Sequence, residues 1–403
     1  MLKTRGQHVF KAIQCKIQIN LDVPVDIVYD HSIANVSDVF VENVSDVFVV
    51  NVCDAPVDIE GFDVETQVNQ AGMVRSAVDW EPSHLPPVSK MTLCWDKWKE
   101  ELDPEYVKTS YILEGIKHGF LINDCFLDIV SSVRSNYNST FLPDAIVSVE
   151  KQIRLEMELG RYIVCDNLPY IVSSLGAIPK TDKRVRLIHD LSQPNGGPNK
   201  YAEDTSVCYA TIDDAVRLIV PGSFLGKLDL SSAYRSVPIH PDCFCLTGLQ
   251  WIFVGDQLPT YFYDARLPFG ASKACAIFQG LSDAVVMFME KRNFHVISYI
   301  DDFLCVEDSY DRCYECMEVL SELLVSLGFV INEQKREGPA ETLTFLGVSI
   351  DCVRRTLSLP DSKLLDMKIL LDSWSGKEKC TKRELQKPLR KSIIMRPRKH
   401  RET

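Results

Sequence analysis

Two adjacent aspartates, Asp301 and Asp302, sit between apolar arms in HVISYIDDFLCVE (His295–Glu307). Neighbouring carboxylates repel one another, and apolar surroundings raise that cost unless a cation neutralises them. An acidic pair alone is ordinarily a solvated turn. Here the apolar arms argue for a hairpin with both carboxylates at its tip. A third acid, Asp229, closes the apolar segment SFLGKLDL (Ser223–Leu230), which reads as a strand and can be brought alongside. Three hard oxygen ligands suit Mg2+, which takes a few carboxylates and leaves positions open for phosphates. Two such ions about 4 Å apart would activate an attacking hydroxyl and stabilise a departing pyrophosphate.

The elements that must position these acids are also legible. Ser272 can cap a helix whose apolar face is Ala274, Phe278, Leu281, Val285 and Phe288. Cys313, Met317, Leu320, Leu324 and Leu327 repeat that spacing, and Gly328 ends it as a C′ residue. TLTFLGVSID (Thr342–Asp351) reads as a further strand-like segment. Residues 95–122 read as one or two helices, and residues 141–176 as helical around KQIRLEMELGRYIV. Cys243 and Cys245 alternate as if on a strand. Cys313 and Cys316 have CxxC spacing without a second pair, which argues against zinc.

The chain has 403 residues, 46% hydrophobic and 25% charged, with a net charge of −12. This is globular composition with room for more than one unit. Fourteen scattered cysteines fit reduced thiols, and neither a membrane span nor a secretory signal is expected, which suggests a cytoplasmic or nuclear protein. The charge is uneven. From Leu21 to Gln70 there are eleven acidic residues and no Lys or Arg, with a short repeat at Asn35, Asn43 and Asn51 that reads as short strands or an acidic low-complexity arm. Gly376 to Thr403 holds eleven Lys and Arg against three Glu, the best nucleic-acid patch in the sequence.

KLDLSSAYRSVPIHP (Lys227–Pro241), LPFGASKACAIFQ (Leu267–Gln279), YIDDF (Tyr299–Phe303), LGFVINEQKREGP (Leu327–Pro339) and TFLGVSI (Thr344–Ile350) follow the order of reverse transcriptase palm motifs. LGAIPKTDKRVRLIHDLSQP (Leu175–Pro194) resembles the fingers segment of the same family. YATIDDAVRLI (Tyr209–Ile219) and YILEGIKHGF (Tyr111–Phe120) resemble the DIRS, or tyrosine-recombinase, type of retrotransposon polymerase. The resemblance runs from about residue 95 to 370.

This resemblance implies an α+β right-hand polymerase, with palm and fingers, an antiparallel palm sheet backed by helices, and a truncated thumb. It implies that Asp229, Asp301 and Asp302 hold two Mg2+ ions, with Mn2+ as a substitute. Tyr234 would stack under the incoming sugar and block a 2′-hydroxyl, and the amides of Ser232 and Ala233 would face the triphosphate. Arg186 and Lys180 would clamp that triphosphate, although Lys183 and Arg184 compete with Lys180 for the role. Lys335, with Arg336 as the alternative register, would protonate the leaving pyrophosphate. Phe269 and Gly270 would contact base and template, and Phe345, Leu346 and Gly347 would hold the primer end. The implied partners are a primed RNA or DNA template and dNTPs.

Three departures stand out. Cys275 occupies a position where the family has Pro, His189 replaces an apolar fingers residue, and Pro388 interrupts KRELQKPLRKS (Lys382–Ser392), where a thumb helix would begin. No second acidic cluster suggests an RNase H domain. The expected division is an acidic N-terminal region at 1–90, a helical extension at 91–174, fingers and palm at 175–350, and a partial thumb with a basic tail at 351–403. The expected activity is RNA-directed DNA synthesis. The alternative is an inactive retroelement-derived remnant that binds nucleic acid or protein.

Overall fold

A computed structural model describes residues 93–123, 129–179, 185–193, 197–203 and 206–374. In chain order it contains helices α1 (Trp95–Glu101) and α2 (Thr109–His118), strand β1 (Ser132–Val133) and helix α3 (Pro143–Glu158). Strands β2 (Tyr162–Val164), β3 (Ile171–Val172), β4 (Ser174–Pro179) and β5 (Val185–Asp190) come next. Helix α4 (Ile212–Leu218) precedes β6 (Phe224–Asp229), β7 (Gly248–Trp251) and β8 (Thr260–Asp264). Then come α5 (Ala274–Glu290), β9 (Val296–Tyr299), β10 (Asp302–Glu307) and α6 (Tyr310–Ser326). The described chain closes with β11 (Glu337–Ala340), β12 (Thr342–Phe345), β13 (Val348–Asp351), β14 (Thr356–Ser358) and α7 (Asp361–Trp374).

Strand alternation explains the central layer. Four antiparallel strands pair in the order β11-β6-β10-β9. Successive side chains point to opposite faces, so Leu228, Phe303 and Cys305 enter the large core with the apolar stripes of α5 and α6. Leu225, Leu304 and Val306 face the other way, towards α4 and the three-stranded sheet β12-β13-β14. The sheet is thus buried on both sides. Helix α6 lies close over β6, where a Cβ on Gly226 would meet Met317 Sδ at 2.3 Å. Only glycine lets that helix pack so near.

The hairpin β4–β5 is a separate two-stranded ladder, packed through Leu175, Ala177, Val185 and Leu187 against α3 and the mixed five-stranded sheet β1-β3-β7-β8-β2. Together these sheets and helices make the α+β palm-and-fingers fold that the sequence implied. Among the described residues no helix is long and apolar enough to cross a membrane.

Four local expectations need correction. Helix α3 stops at Glu158, Gly160 turns the chain with φ at 65°, and Tyr162–Val164 is a strand. Its aromatic and β-branched side chains fit a pleated, half-buried surface. The span 91–174 is therefore not wholly helical, since β1, β2 and β3 join the sheet shared with β7 and β8. Ser272 does not cap α5; the N-cap position is Lys273, and the Ser272 amide donates to Asn199 Oδ1 at 2.9 Å. Cys243 and Cys245 lie in a 3-10 turn, Pro241–Leu246, led by a proline that suits a helical first turn. The acidic arm, the Asn35 and Asn43 repeats, Lys180, Lys183, Arg184 and the basic tail lie outside the described residues.

Candidate active site

Antiparallel register sets Asp302 directly across from Asp229. Asp301 occupies the tight turn between β9 and β10, and its carbonyl accepts from the Leu230 amide at 3.1 Å. Asp229 is buried, and Asp301 and Asp302 are half-buried. Burial and then the charge of Asp229 raise the Asp301 carboxyl above its ordinary range. Burial, the charge of Asp301 and a hydrogen bond with Asp229 push Asp302 up to about 7. The three acids thus crowd negative charge into one spot.

Two neighbours take up part of that charge. Lys335 Nζ donates to Asp229 Oδ2 at 2.8 Å, and Asn332 Nδ2 donates to Asp229 Oδ1 at 3.1 Å. Burial disfavours the Lys335 ammonium, yet the hydrogen bond and charge of Asp229 hold its pKa above the usual value. Asn332 also anchors through its backbone, donating to the Asp229 carbonyl at 2.8 Å. Among the described residues no group of three or more His, Cys, Asp or Glu side chains is already arranged around a metal position.

The turn carrying the aspartates is strained. Ile300 has φ of 54°, a conformation that β-branched residues rarely adopt and that persists only where the surroundings hold it. Helix α5 does so at both ends of the residue. Gln279 Oε1 accepts from the Ile300 amide at 2.8 Å, and Ser282 Oγ donates to the Ile300 carbonyl at 2.6 Å. Both side chains are buried.

A second corner gathers the residues expected to meet the nucleotide. Tyr234 lies in the 3-10 turn Ala233–Ser236, which follows Ser232 in a left-handed conformation. Its ring is only 3% exposed, stacks on Phe269 at 5.1 Å and hydrogen-bonds to Cys275 Sγ at 3.2 Å. Arg186, on β5, places its guanidinium over the other partner, 5.4 Å from the Phe269 ring. Gly270 has φ of 132°, and a Cβ there would meet the His189 carbonyl oxygen at 1.9 Å. The loop thus rests on the fingers strand, tied further by the His189 amide donating to the Phe269 carbonyl at 2.8 Å. Asn199 fastens the same loop, donating to the Gly270 carbonyl at 2.7 Å.

Phe345, Leu346 and Gly347 form the β12–β13 turn, with Leu346 and Gly347 at positive φ. This turn belongs to a separate three-stranded sheet, yet Lys227 on β6 reaches Glu337 at 2.7 Å and the Thr344 carbonyl at 3.4 Å. The palm strand that ends in Asp229 therefore also steadies the base of this hairpin.

Gln279, Ser282, Asn332 and Asn199 were not singled out from sequence. The signal for Gln279 was present: a polar residue directly after Phe278, beside the apolar stripe of its helix. Asn332 offered only its place three residues before Lys335. Asn199 gave no sign.

Residues 183–350 match the reverse transcriptase (RNA-dependent DNA polymerase) family. The Pro-Pol polyprotein of Simian foamy virus type 3 (strain LK3) is 23% identical over 261 residues, 65% of this chain and 20% of that protein. The transposon Tf2-3 polyprotein of Schizosaccharomyces pombe is 24% identical over 180 residues, 43% of this chain and 12% of that protein. The chain thus spans a fifth or less of these relatives. A foamy viral protease–reverse transcriptase in complex with double-stranded DNA shares the fold, with a TM-score of 0.55 and 16% identity over 79% of this chain and 55% of that one. The same kind of protein in complex with an RNA/DNA hybrid gives 0.53 at 17% identity, over 79% of this chain and 41% of that one.

Proposed function

From the premise that residues 183–350 form a reverse transcriptase domain, we propose that this chain carries out template-directed DNA synthesis on a primed RNA or DNA strand. The reaction is attack of a primer 3′-hydroxyl on the α-phosphate of a dNTP, with loss of pyrophosphate. The observation that carries this reading is the register of Asp302 against Asp229, with Asp301 beside them. The donor set fits Mg2+: burial and then mutual repulsion raise the pKa of Asp301 and Asp302, a cost that a divalent cation on three hard carboxylates would offset. When bound there, Mg2+ would favour ionisation of the primer hydroxyl and offset charge on the departing pyrophosphate.

The chain's own groups do the rest. Arg186 supplies a fork suited to phosphate oxygens, and Lys180 a point charge. The Ser232 and Ala233 amides add donors for the triphosphate. Lys335 Nζ carries the proton for the leaving group. Tyr234, backed by Phe269, sets the depth of the sugar pocket, while Gly270 keeps the loop low enough for base and template. Phe345–Gly347 steadies the primer end.

A second reading is a remnant that binds nucleic acid without chemistry. One observation favours it: both Asp229 oxygens already accept hydrogen bonds, from Lys335 and Asn332. Primer extension on a homopolymer RNA template with Mg2+ or Mn2+ separates the two. Extension in either ion supports synthesis, and template binding without extension supports the remnant.

A further inference from the structure

A buried charged cluster lies behind the nucleotide corner, apart from the three aspartates. Arg235 follows Tyr234 in the turn Ala233–Ser236 and is 6% exposed. Its Nη1 and Nη2 donate to the two oxygens of Asp264 at 2.7 and 2.9 Å, a bidentate fork. Its Nε and Nη2 both donate to Glu156 Oε2, at 3.1 and 2.9 Å. Longer contacts of 3.4 Å reach the carbonyls of Arg266 and Leu267, just upstream of Phe269. Glu156 comes from α3 and Asp264 from the end of β8. One planar group therefore joins a helix, a strand, the turn that bears Tyr234 and the segment that bears Phe269.

Such a cluster is a poor route to stability. Arg161 and Arg266 also face these carboxylates, and desolvating such charges costs several kcal/mol per ion, so apolar replacements of similar volume often serve as well. What ionic contacts supply better than apolar ones is a fixed orientation, because guanidinium and carboxylate planes must match. The side chains of Tyr234 and Arg235 leave a tight turn to different partners, Phe269 and Phe278 for the ring, Glu156 and Asp264 for the guanidinium. Rotating the turn to move one must break the contacts of the other.

We propose that Arg235, clamped between Glu156 and Asp264, is a positioning residue that holds Tyr234 against Phe269 and thereby sets how strictly the site prefers dNTP to rNTP. This rests on the reading of Tyr234 as the group that blocks the 2′-hydroxyl. Sub-ångström placement of that ring decides the outcome, because the two substrates differ by a single oxygen.

The test is the ratio of dNTP to rNTP incorporation, with melting temperatures, for the parent, Arg235→Lys, Asp264→Asn, Glu156→Gln and Tyr234→Ala. Lysine keeps the charge but cannot bridge two carboxylates. The preference for dNTP is expected to fall about tenfold in Arg235→Lys, with the KM for rNTP dropping more than kcat for dNTP. Asp264→Asn and Glu156→Gln keep the guanidinium and one partner; they carry the test if Arg235→Lys does not fold. Variants that melt lower yet keep the parental ratio would show a purely structural cluster and overturn the proposal. Tyr234→Ala separates the two levels. If it leaves the ratio unchanged, the reading of Tyr234 itself fails; if it relaxes the ratio and the clamp variants do not, only the role of Arg235 falls.

Discussion

His189 puts an ionisable ring where no water can share its charge. Its Nε2 lies 3.0 Å from the Gly248 carbonyl, and the ring is 2% exposed. Burial lowers its pKa from 6.5 to about 4, against the pull of that carbonyl. The folded protein therefore takes up the proton only near pH 4, whereas the unfolded chain takes it up near 6.5. Between these values the unfolded state holds more protons, so stability falls as pH drops through that window. Between pH 7 and 5 the parent should lose about 2 kcal/mol more than His189→Leu in urea unfolding, from 1.36 kcal/mol per pKa unit. Equal losses would show that the imidazole is solvated. The sequence marked His189 as a departure from an apolar position, but not what it touches; Gly248 is distant in sequence and reaches it only through sheet packing.

Among the elements, α5 acts on the site without supplying one of the three acids. Gln279 and Ser282 hold both backbone groups of Ile300 in a conformation that the residue would not choose. Gln279→Leu keeps the volume and strands the Ile300 amide in the interior, a loss of about 1–3 kcal/mol. Primer extension should fall alongside the melting temperature, because the Asp301–Asp302 turn loses its support. A variant that melts lower but extends at the parental rate would separate the strain from the activity. The apolar stripes of α5 and α6 and the hairpin around the acid pair were readable because periodicity alone fixes which side chains face inward. The end of α3 was not. Helix-forming Leu155, Glu156 and Met157 precede Tyr162–Val164 by one Gly160 turn, and pairing with β8, about a hundred residues later, makes that tail a strand.

Across the whole molecule the motif order fixed the palm, since Asp229 and Asp302 meet only if β6 and β10 pair antiparallel. The mixed sheet β1-β3-β7-β8-β2 was invisible from sequence because its first strands are two or three residues long and its pairings are remote. The charge asymmetry of the two ends concerns residues beyond those described, and it leads to a prediction by electrostatics alone. Each neutralised phosphate releases counterions, so affinity falls with salt at a log–log slope of about −0.7 per contact for single strands. Deleting residues 376–403, with eleven Lys and Arg against three Glu, should flatten that slope; deleting 1–90 should strengthen binding at low salt. An unchanged slope in the tail deletion, from titrations of a labelled oligonucleotide at several salt concentrations, would place the template path elsewhere.

The central claim is that three crowded aspartates perform nucleotidyl transfer, and Asp301→Asn tests it most directly. The substitution keeps the volume and removes one of three repelling charges. Single-nucleotide incorporation on a primed RNA template should proceed with the parent in Mg2+ and be lost in the variant, while its melting temperature stays level or rises. Equal incorporation by parent and variant would contradict the account.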